Sequence, residues 1–468
     1  MHVVVLIAFV VALTVADLPS LEAGRWLLIP AVAAYLTGTV ALGATRTAVS
    51  VRAIFRYPGS FVRIVRRHNV LAALAQVWLV GGLAGLVVLG WGAWARDDLG
   101  LARIPLAGEI TILLPFLIAL MLNWWLEYPF YRLVRARVAD QQYDAGVQVR
   151  PCWTLGEYLA YNLRHEVLFV VVPVSLILLL TDSLRLLYPL LPLAVREPVL
   201  LAGSSVCAGG VFLCSPLLIV RIWRTARLPD GLLRDELREM CRQMRVRCRD
   251  LLIWRSGGMI ANAGVMGLIG RIRYVLLSDG LLDHMSPREI KSIFAHEAGH
   301  IRCHHLFYSM LFAVSSVTLC WAAGDVAAGP VGPRWAWIGE VTTFGLLAAA
   351  WAVGFGWISR RFERQSDVIA AWFSALDGPD AGGRITPEGA AIFARSLERV
   401  AQLNGASPRQ WNWRHGSIAG RVAHVLWLGS TAGTRSQIDR VVRRIKAGLW
   451  VATVVSAAIA AVRLTLGV

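Results

Sequence analysis

Lysine is almost missing from this chain of 468 residues, standing only at Lys291 and Lys446, so its positive charge is nearly all arginine. Charge of either sign is scarce, at 16% of residues against 56% hydrophobic, and the mean hydropathy is +0.57. A soluble chain carries about a quarter charged residues, so a soluble multidomain protein is excluded. No Cys-x-x-Cys pair occurs among Cys152, Cys207, Cys214, Cys241, Cys248, Cys303 and Cys320. That removes a cysteine metal framework and leaves small core residues. No internal repeat or low-complexity tract stands out. No basic segment precedes the first apolar run, Val3 to Val15, which has His2 as the only polar residue ahead of it and so reads as a retained span rather than a cleaved signal. The net charge of +17 would suit nucleic acid, but the arginines cluster between apolar runs, as cytoplasm-facing connections do. Nucleic acid is not an expected partner.

What the chain has is long apolar runs. A bilayer crossing takes about 20 residues, and suitable runs lie near Trp26 to Ala44, Val70 to Trp94, Ile104 to Leu126, Val199 to Val220, Leu306 to Ala323, Trp335 to Ile358 and Leu449 to Val462. Val167 to Thr181 is shorter and extends toward its N-terminal side. The expected fold is mainly α, a polytopic transmembrane helical protein of about 8–9 spans. Basic connections, Arg46 to Arg67 and Arg132 to Arg137, belong on the cytoplasmic side, with Asp17 to Gly24, Arg96 to Arg103 and Asp182 to Glu197 outside. Counting forward places Arg221 to His305 and Ser359 to Lys446 in the cytoplasm. The resulting organisation is an N-terminal transmembrane region (1–220), two parts of a polar module (221–305 and 359–446) around a helix pair (306–358), and a final helix (447–468).

The polar module opens with an amphipathic stretch, Leu232 to Leu252, whose apolar residues recur at helical spacing. Asp250 to Trp254 and Arg273 to Ser278 read as short strands around the glycine-rich Ser256 to Gly270, so a small β-sheet is expected beside the helices. Ser286 with Glu289 makes a capping-box pattern and Pro287 suits the first turn, so a helix starts there. On it, His296, Glu297 and His300 form H-E-x-x-H. The four-residue spacing brings both imidazoles to one side, where they can reach one Zn²⁺ at about 2.0–2.1 Å while Glu297 serves as base for water. Two surface histidines would give the same spacing, so the pattern needs a third ligand.

A metzincin would place glycine and histidine where this chain has Cys303 and Leu306, which excludes that class. A carboxylate from a second helix remains, and Ser359-Arg-Arg-Phe-Glu-Arg-Gln-Ser-Asp367 offers Glu363 and Asp367 on one helical face. His304 is too distant along the axis, about 12 Å from His296 at 1.5 Å per residue. His304 and His305 read instead as a basic turn before the next span, and His68, His165, His284 and His424 as surface or packing residues. Glu109, Asn123, Glu127 and Glu340 fall in or near apolar runs, where they face either a polar interior or water at a span end.

H-E-A-G-H followed by a hydrophobic pair and S-R-x-x-E-x-x-x-D resembles the membrane zinc metallopeptidase family that includes HtpX and the CAAX prenyl proteases. The resemblance covers roughly Leu232 to Leu426 and implies a gluzincin-type site with one zinc per chain. It assigns Glu363 as the third ligand beside His296 and His300, and Asp367 as support for a ligand histidine. It further implies that Asn262 and Ala263 bind extended substrate, and that His415 and Arg421, in an H-x-x-x-x-x-R element, act near the catalytic centre. Three positions depart from the family's pattern: Ala261 and Gly416 stand where proline is usual, and Ser366 where alanine is common. The expected activity is hydrolysis of peptide bonds in membrane proteins or membrane-attached peptides, with the lipid bilayer as surroundings and the site facing the cytoplasm of a bacterial inner membrane. An antibiotic-sensor-type receptor metallopeptidase and a non-enzymatic transporter or scaffold are the alternative readings.

Overall fold

The computed structural model describes residues 2–14, 25–101, 104–144, 151–258, 260–328, 337–375, 383–431 and 436–466. The chain divides into two compact units, Met1–Trp223 and Arg224–Val468. Among the described residues eight helices are long and apolar enough to cross a membrane, and Val4–Leu13 is a shorter apolar helix. The chain is an integral membrane protein. The expected connection Asp17 to Gly24 and the start of the run at Trp335 lie outside the described residues.

Among the described residues the regular elements of the first unit are all helices. Its long helices Leu28–Arg56, Phe61–Val88 and Ala107–Asp144 pack around Leu79, Leu83, Ile112, Phe116 and Trp124. These helices run well past the apolar stretches that announce them. Arg46 to Arg67 is therefore not a loop: only 57–60 interrupts the helices there, and Arg46, Arg52 and Arg56 ride on one helix while Arg63 and Arg67 ride on the next. Backbone hydrogen bonds that are satisfied within a helix give it no reason to stop where hydrophobicity stops. Arg46 is buried and meets Glu127 at 3.3 Å. His68, also buried, lies between Ser50 at 2.9 Å and Glu127 at 3.4 Å and stacks on Phe130. Glu127 thus faces a polar interior, while Glu109 pairs with Arg96 at 3.5 Å. The side chain of Glu340 lies outside the described residues.

The second unit carries the sheet: β1 (Ala226–Arg227), β2 (Asp250–Trp254), β3 (Ala263–Met266) and β4 (Tyr274–Ser278), in the order β1-β2-β4-β3. β2 runs parallel to β4, and β1 and β3 are antiparallel to their neighbours. The amphipathic helix ends at Gln243 rather than reaching Leu252, because β2 takes the residues from Asp250 onward. The glycine-rich segment contains a strand of its own, β3. The turn leading into it is held by buried Asp279, whose carboxylate accepts from Ser256 Oγ at 2.6 Å, Ser256 N at 3.0 Å and Gly257 N at 2.9 Å. β3 sits at the edge of the sheet and packs against the helix that bears His296.

Candidate metal centre

The H-E-x-x-H helix spans Pro287–Arg302 and begins as its sequence requires, with Ser286 and Glu289 closing a reciprocal capping box. Ile290, Phe294, Ala298 and Ile301 bury one side of it in the core of the unit. That anchors the helix and presents His296 and His300 toward a second helix, Gly356–Phe373, which continues from Trp337–Ala349 through a π-turn at Ala350–Phe355. The two helices approach at Gly299: a Cβ there would lie 3.3 Å from the Cα and the Oγ of Ser366. A side chain there would press on Ser366, and across this close approach Glu363 reaches both histidines.

His296 Nε2 and His300 Nε2 are 3.2 Å apart, and Glu363 lies 3.4 Å from the first through Oε2 and 3.6 Å from the second through Oε1. Two ligands about 2.0–2.1 Å from one tetrahedral ion lie about 3.3 Å apart, so the three separations bracket the edge of a zinc tetrahedron. These three residues form a group whose ligand atoms all lie within 4.8 Å of one another. The donor set, two neutral imidazoles and a carboxylate, suits zinc and leaves a fourth position open. His304 is not part of it; it occupies the turn after the helix with φ of +56°.

Around the three donors lies a ring of supporting charge. Asp367, one turn beyond Glu363, sits 3.0 Å from His296 Nδ1. Arg421, on the helix Ile418–Ser430, donates to both Asp367 oxygens at 2.6 and 2.9 Å and lies 3.3 Å from Glu363 Oε2. Its guanidinium is thus fully engaged in holding two carboxylates. His415 approaches Glu363 Oε1 through Nδ1 at 2.9 Å and keeps 43% of its side chain exposed, so it can also meet a molecule from outside. The turn that presents it needs Gly416 at φ +74°, with Gly416 N donating to Asn412 O at 2.7 Å. Proline could supply neither the angle nor the donor.

The protonation states follow from this packing. Burial works against charging His296, but Asp367 and Glu363 outweigh it and raise its pKa to about 9. Burial lowers His300 to about 4, which keeps the ring neutral. Burial raises Glu297 to about 7 against the pull of nearby His296, poising it as a base near neutrality. Arg421 is buried yet held more firmly protonated by Asp367 and Glu363.

The structure brings together His296, Glu297, His300, Glu363, Asp367, His415 and Arg421. Ala263 opens the edge strand, which packs against the H-E-x-x-H helix, and Asn262 immediately precedes it. Asn262 O accepts from Ser278 N at 2.9 Å and Ala263 pairs with Leu277. Ala261 donates its N–H to Asn404 Oδ1 at 3.1 Å, a bond that proline in its place would forfeit.

Sequence reasoning missed His305. It is not part of an exposed basic turn; it is 3% exposed, stacks face to face on Phe362, and meets His300 Nδ1 through its own Nδ1 at 2.9 Å. Gln365 and Asp439 behind it were missed as well, because no local spacing links residues that far apart. Asn404, which holds Ala261, left no signal either.

Membrane-length helices together with a two-histidine, one-glutamate cluster and an adjacent glutamate define a membrane protein with a metallopeptidase-like centre. Residues 229–386 match peptidase family M48, which bears out the motif-based resemblance over a segment holding His296, Glu297, His300, Glu363 and Asp367. His415 and Arg421 lie beyond it. The chain is also similar to a solved structure described as the crystal structure of S. mikatae Ste24p, with 13% identity and a TM-score of 0.47 over 87% of this chain and 100% of that one. No curated protein matches.

Proposed function

We propose that the chain is a zinc-dependent endopeptidase that cleaves membrane proteins or membrane-attached peptides at the cytoplasmic face. The observation that carries this reading is the convergence of His296, His300 and Glu363 at tetrahedral spacing, with Glu297 next to them on the same helix. Zinc held by these donors supplies Lewis acidity toward water and a peptide carbonyl. Glu297 takes the proton from the attacking water and passes it to the leaving amine. His415, partly exposed at the rim, donates to the oxygen of the tetrahedral intermediate, while Arg421 holds Glu363 and Asp367 in place. The free edge of β3 accepts an extended substrate by strand addition, beginning near Asn262 and Ala263.

Membrane substrates are supported by the direct run of both metal-bearing helices into apolar spans, His305–Ala327 on one side and Thr342–Phe373 on the other. The arginine content of the segments flanking the site supports a cytoplasmic location. The deciding experiment compares purified wild-type protein with Glu297→Gln for zinc content and for cleavage of a membrane-peptide library. One zinc per chain in both, with cleavage only in the wild type, is the expected result. Cleavage by Glu297→Gln overturns the catalytic assignment, and wild-type protein that binds no zinc overturns the metal assignment.

A further inference from the structure

We propose that His305, Gln365 and Asp439 form a hydrogen-bonded positioning relay that fixes the imidazole of His300 for metal binding, making the last membrane helix part of the metal centre. The proposal rests on the zinc reading above. His300 presents Nε2 toward Glu363 and His296, so its Nδ1 must find a partner on the opposite side. That partner is His305 Nδ1 at 2.9 Å. His305 Nε2 in turn meets Gln365 Oε1 at 2.8 Å, and Gln365 Nε2 donates to Asp439 Oδ1 at 2.5 Å.

Only one arrangement of protons satisfies every link. A ligating His300 has its single proton on Nδ1, which therefore donates to His305 Nδ1. His305, accepting there, carries its own proton on Nε2 and donates to the Gln365 carbonyl. The Gln365 amide then donates to the Asp439 carboxylate. The sequence is an extended form of the carboxylate–histidine–metal arrangement, in which a ligand's second nitrogen is held by an acceptor that sets its tautomer and orientation. Both intermediate residues are buried, His305 at 3% exposure and Gln365 at 6%, so water does not compete for these bonds. Asp439 lies in the first turn of the helix Ile438–Leu466, an apolar span whose Lys446 also donates to Cys303 O at 2.6 Å, at the end of the H-E-x-x-H helix. The two ligand histidines are therefore held differently: His296 by Asp367 on the neighbouring helix, His300 by a chain that ends on a separate span.

The test uses full-length protein in lipid nanodiscs, with zinc affinity measured by chelator competition, the visible spectrum of the Co²⁺-substituted site, and thermal unfolding of the metal-free form. Gln365→Leu, similar in size and without either bond, is expected to weaken zinc binding about 10- to 100-fold and shift the Co²⁺ spectrum. Any fall in metal-free stability should be too small to account for that loss of affinity. Asp439→Asn should lose less, because the amide oxygen still accepts, and Asp439→Glu should restore affinity relative to Asp439→Ala. Lys446→Met, which cuts the other contact of the same helix, should leave zinc affinity and the spectrum unchanged. Wild-type zinc binding with unaltered affinity and spectrum in Gln365→Leu overturns the relay while leaving the peptidase reading intact. Loss of affinity only in proportion to a lowered metal-free stability, or an equal loss in Lys446→Met, reduces the three residues to packing. A wild type that takes up no zinc defeats the reading on which the relay depends.

Discussion

His296 and His300 occupy equivalent places on one helix and yet begin from opposite protonation states. His296, beside Asp367 and Glu363, has a pKa raised to about 9, whereas burial lowers His300 to about 4. A ligating imidazole must be neutral, so zinc has to displace a proton from His296 at any pH below its pKa. Raising the pH therefore helps binding: affinity should climb about tenfold per pH unit up to about 9 and then level off, with about one proton released per zinc. Calorimetric titration in buffers of different ionisation enthalpy measures that proton directly; a pH-independent affinity would remove the His296 assignment. Ligand identity can be checked at the same scale. Glu363→Ala should lose zinc and activity together, while His304→Ala, a change in the turn after the helix, should leave zinc stoichiometry intact by metal analysis. Ser366, where the family commonly has alanine, is buried and its hydroxyl has no hydrogen-bond partner among the described residues. Ser366→Ala should leave zinc bound and raise stability by about 1 kcal/mol in denaturant unfolding.

Helices and strands set the distances between these residues. The H-E-x-x-H motif and its capping box were legible in the sequence because each is a local pattern within one helix, written as spacing. The approach of the Glu363 helix is not local and depends on the missing side chain at Gly299. Gly299→Val would push a branched side chain into the backbone of Ser366, so zinc should be lost even though every ligand is retained; zinc analysis of the folded variant decides this. The edge strand was half legible. Asn262 and Ala263 could be picked out by resemblance, but the glycine-rich segment hid a strand whose preceding turn at Ser256 and Gly257 is held by Asp279, more than twenty residues further along the chain. Ala261→Pro would restore the family's usual residue and yet remove the N–H that Asn404 accepts. It should cost about 1–3 kcal/mol, read as a lower unfolding midpoint.

Across the whole molecule, the arginine distribution makes a topological prediction. Single cysteines near Arg56, at Glu289 and at Arg409, introduced on a cysteine-free background, should all resist a membrane-impermeant reagent in intact cells and react after permeabilisation. Labelling at Glu289 from outside would reverse the orientation and with it the cytoplasmic site. Composition alone determined that this chain belongs in a membrane, because 56% hydrophobic residues gathered into long runs have no other stable surroundings. Short-range spacing determined the two motif helices, because a residue four positions away lies on the same face whatever the rest of the chain does. The tertiary structure decided where the helices end, that Arg46 and His68 are buried around Glu127, that Arg421 is clasped by two carboxylates, and that His305 leads from His300 through Gln365 to Asp439. All of those contacts except that of His300 with His305 join residues tens of positions apart, and a periodic pattern carries no information about partners beyond its own helix.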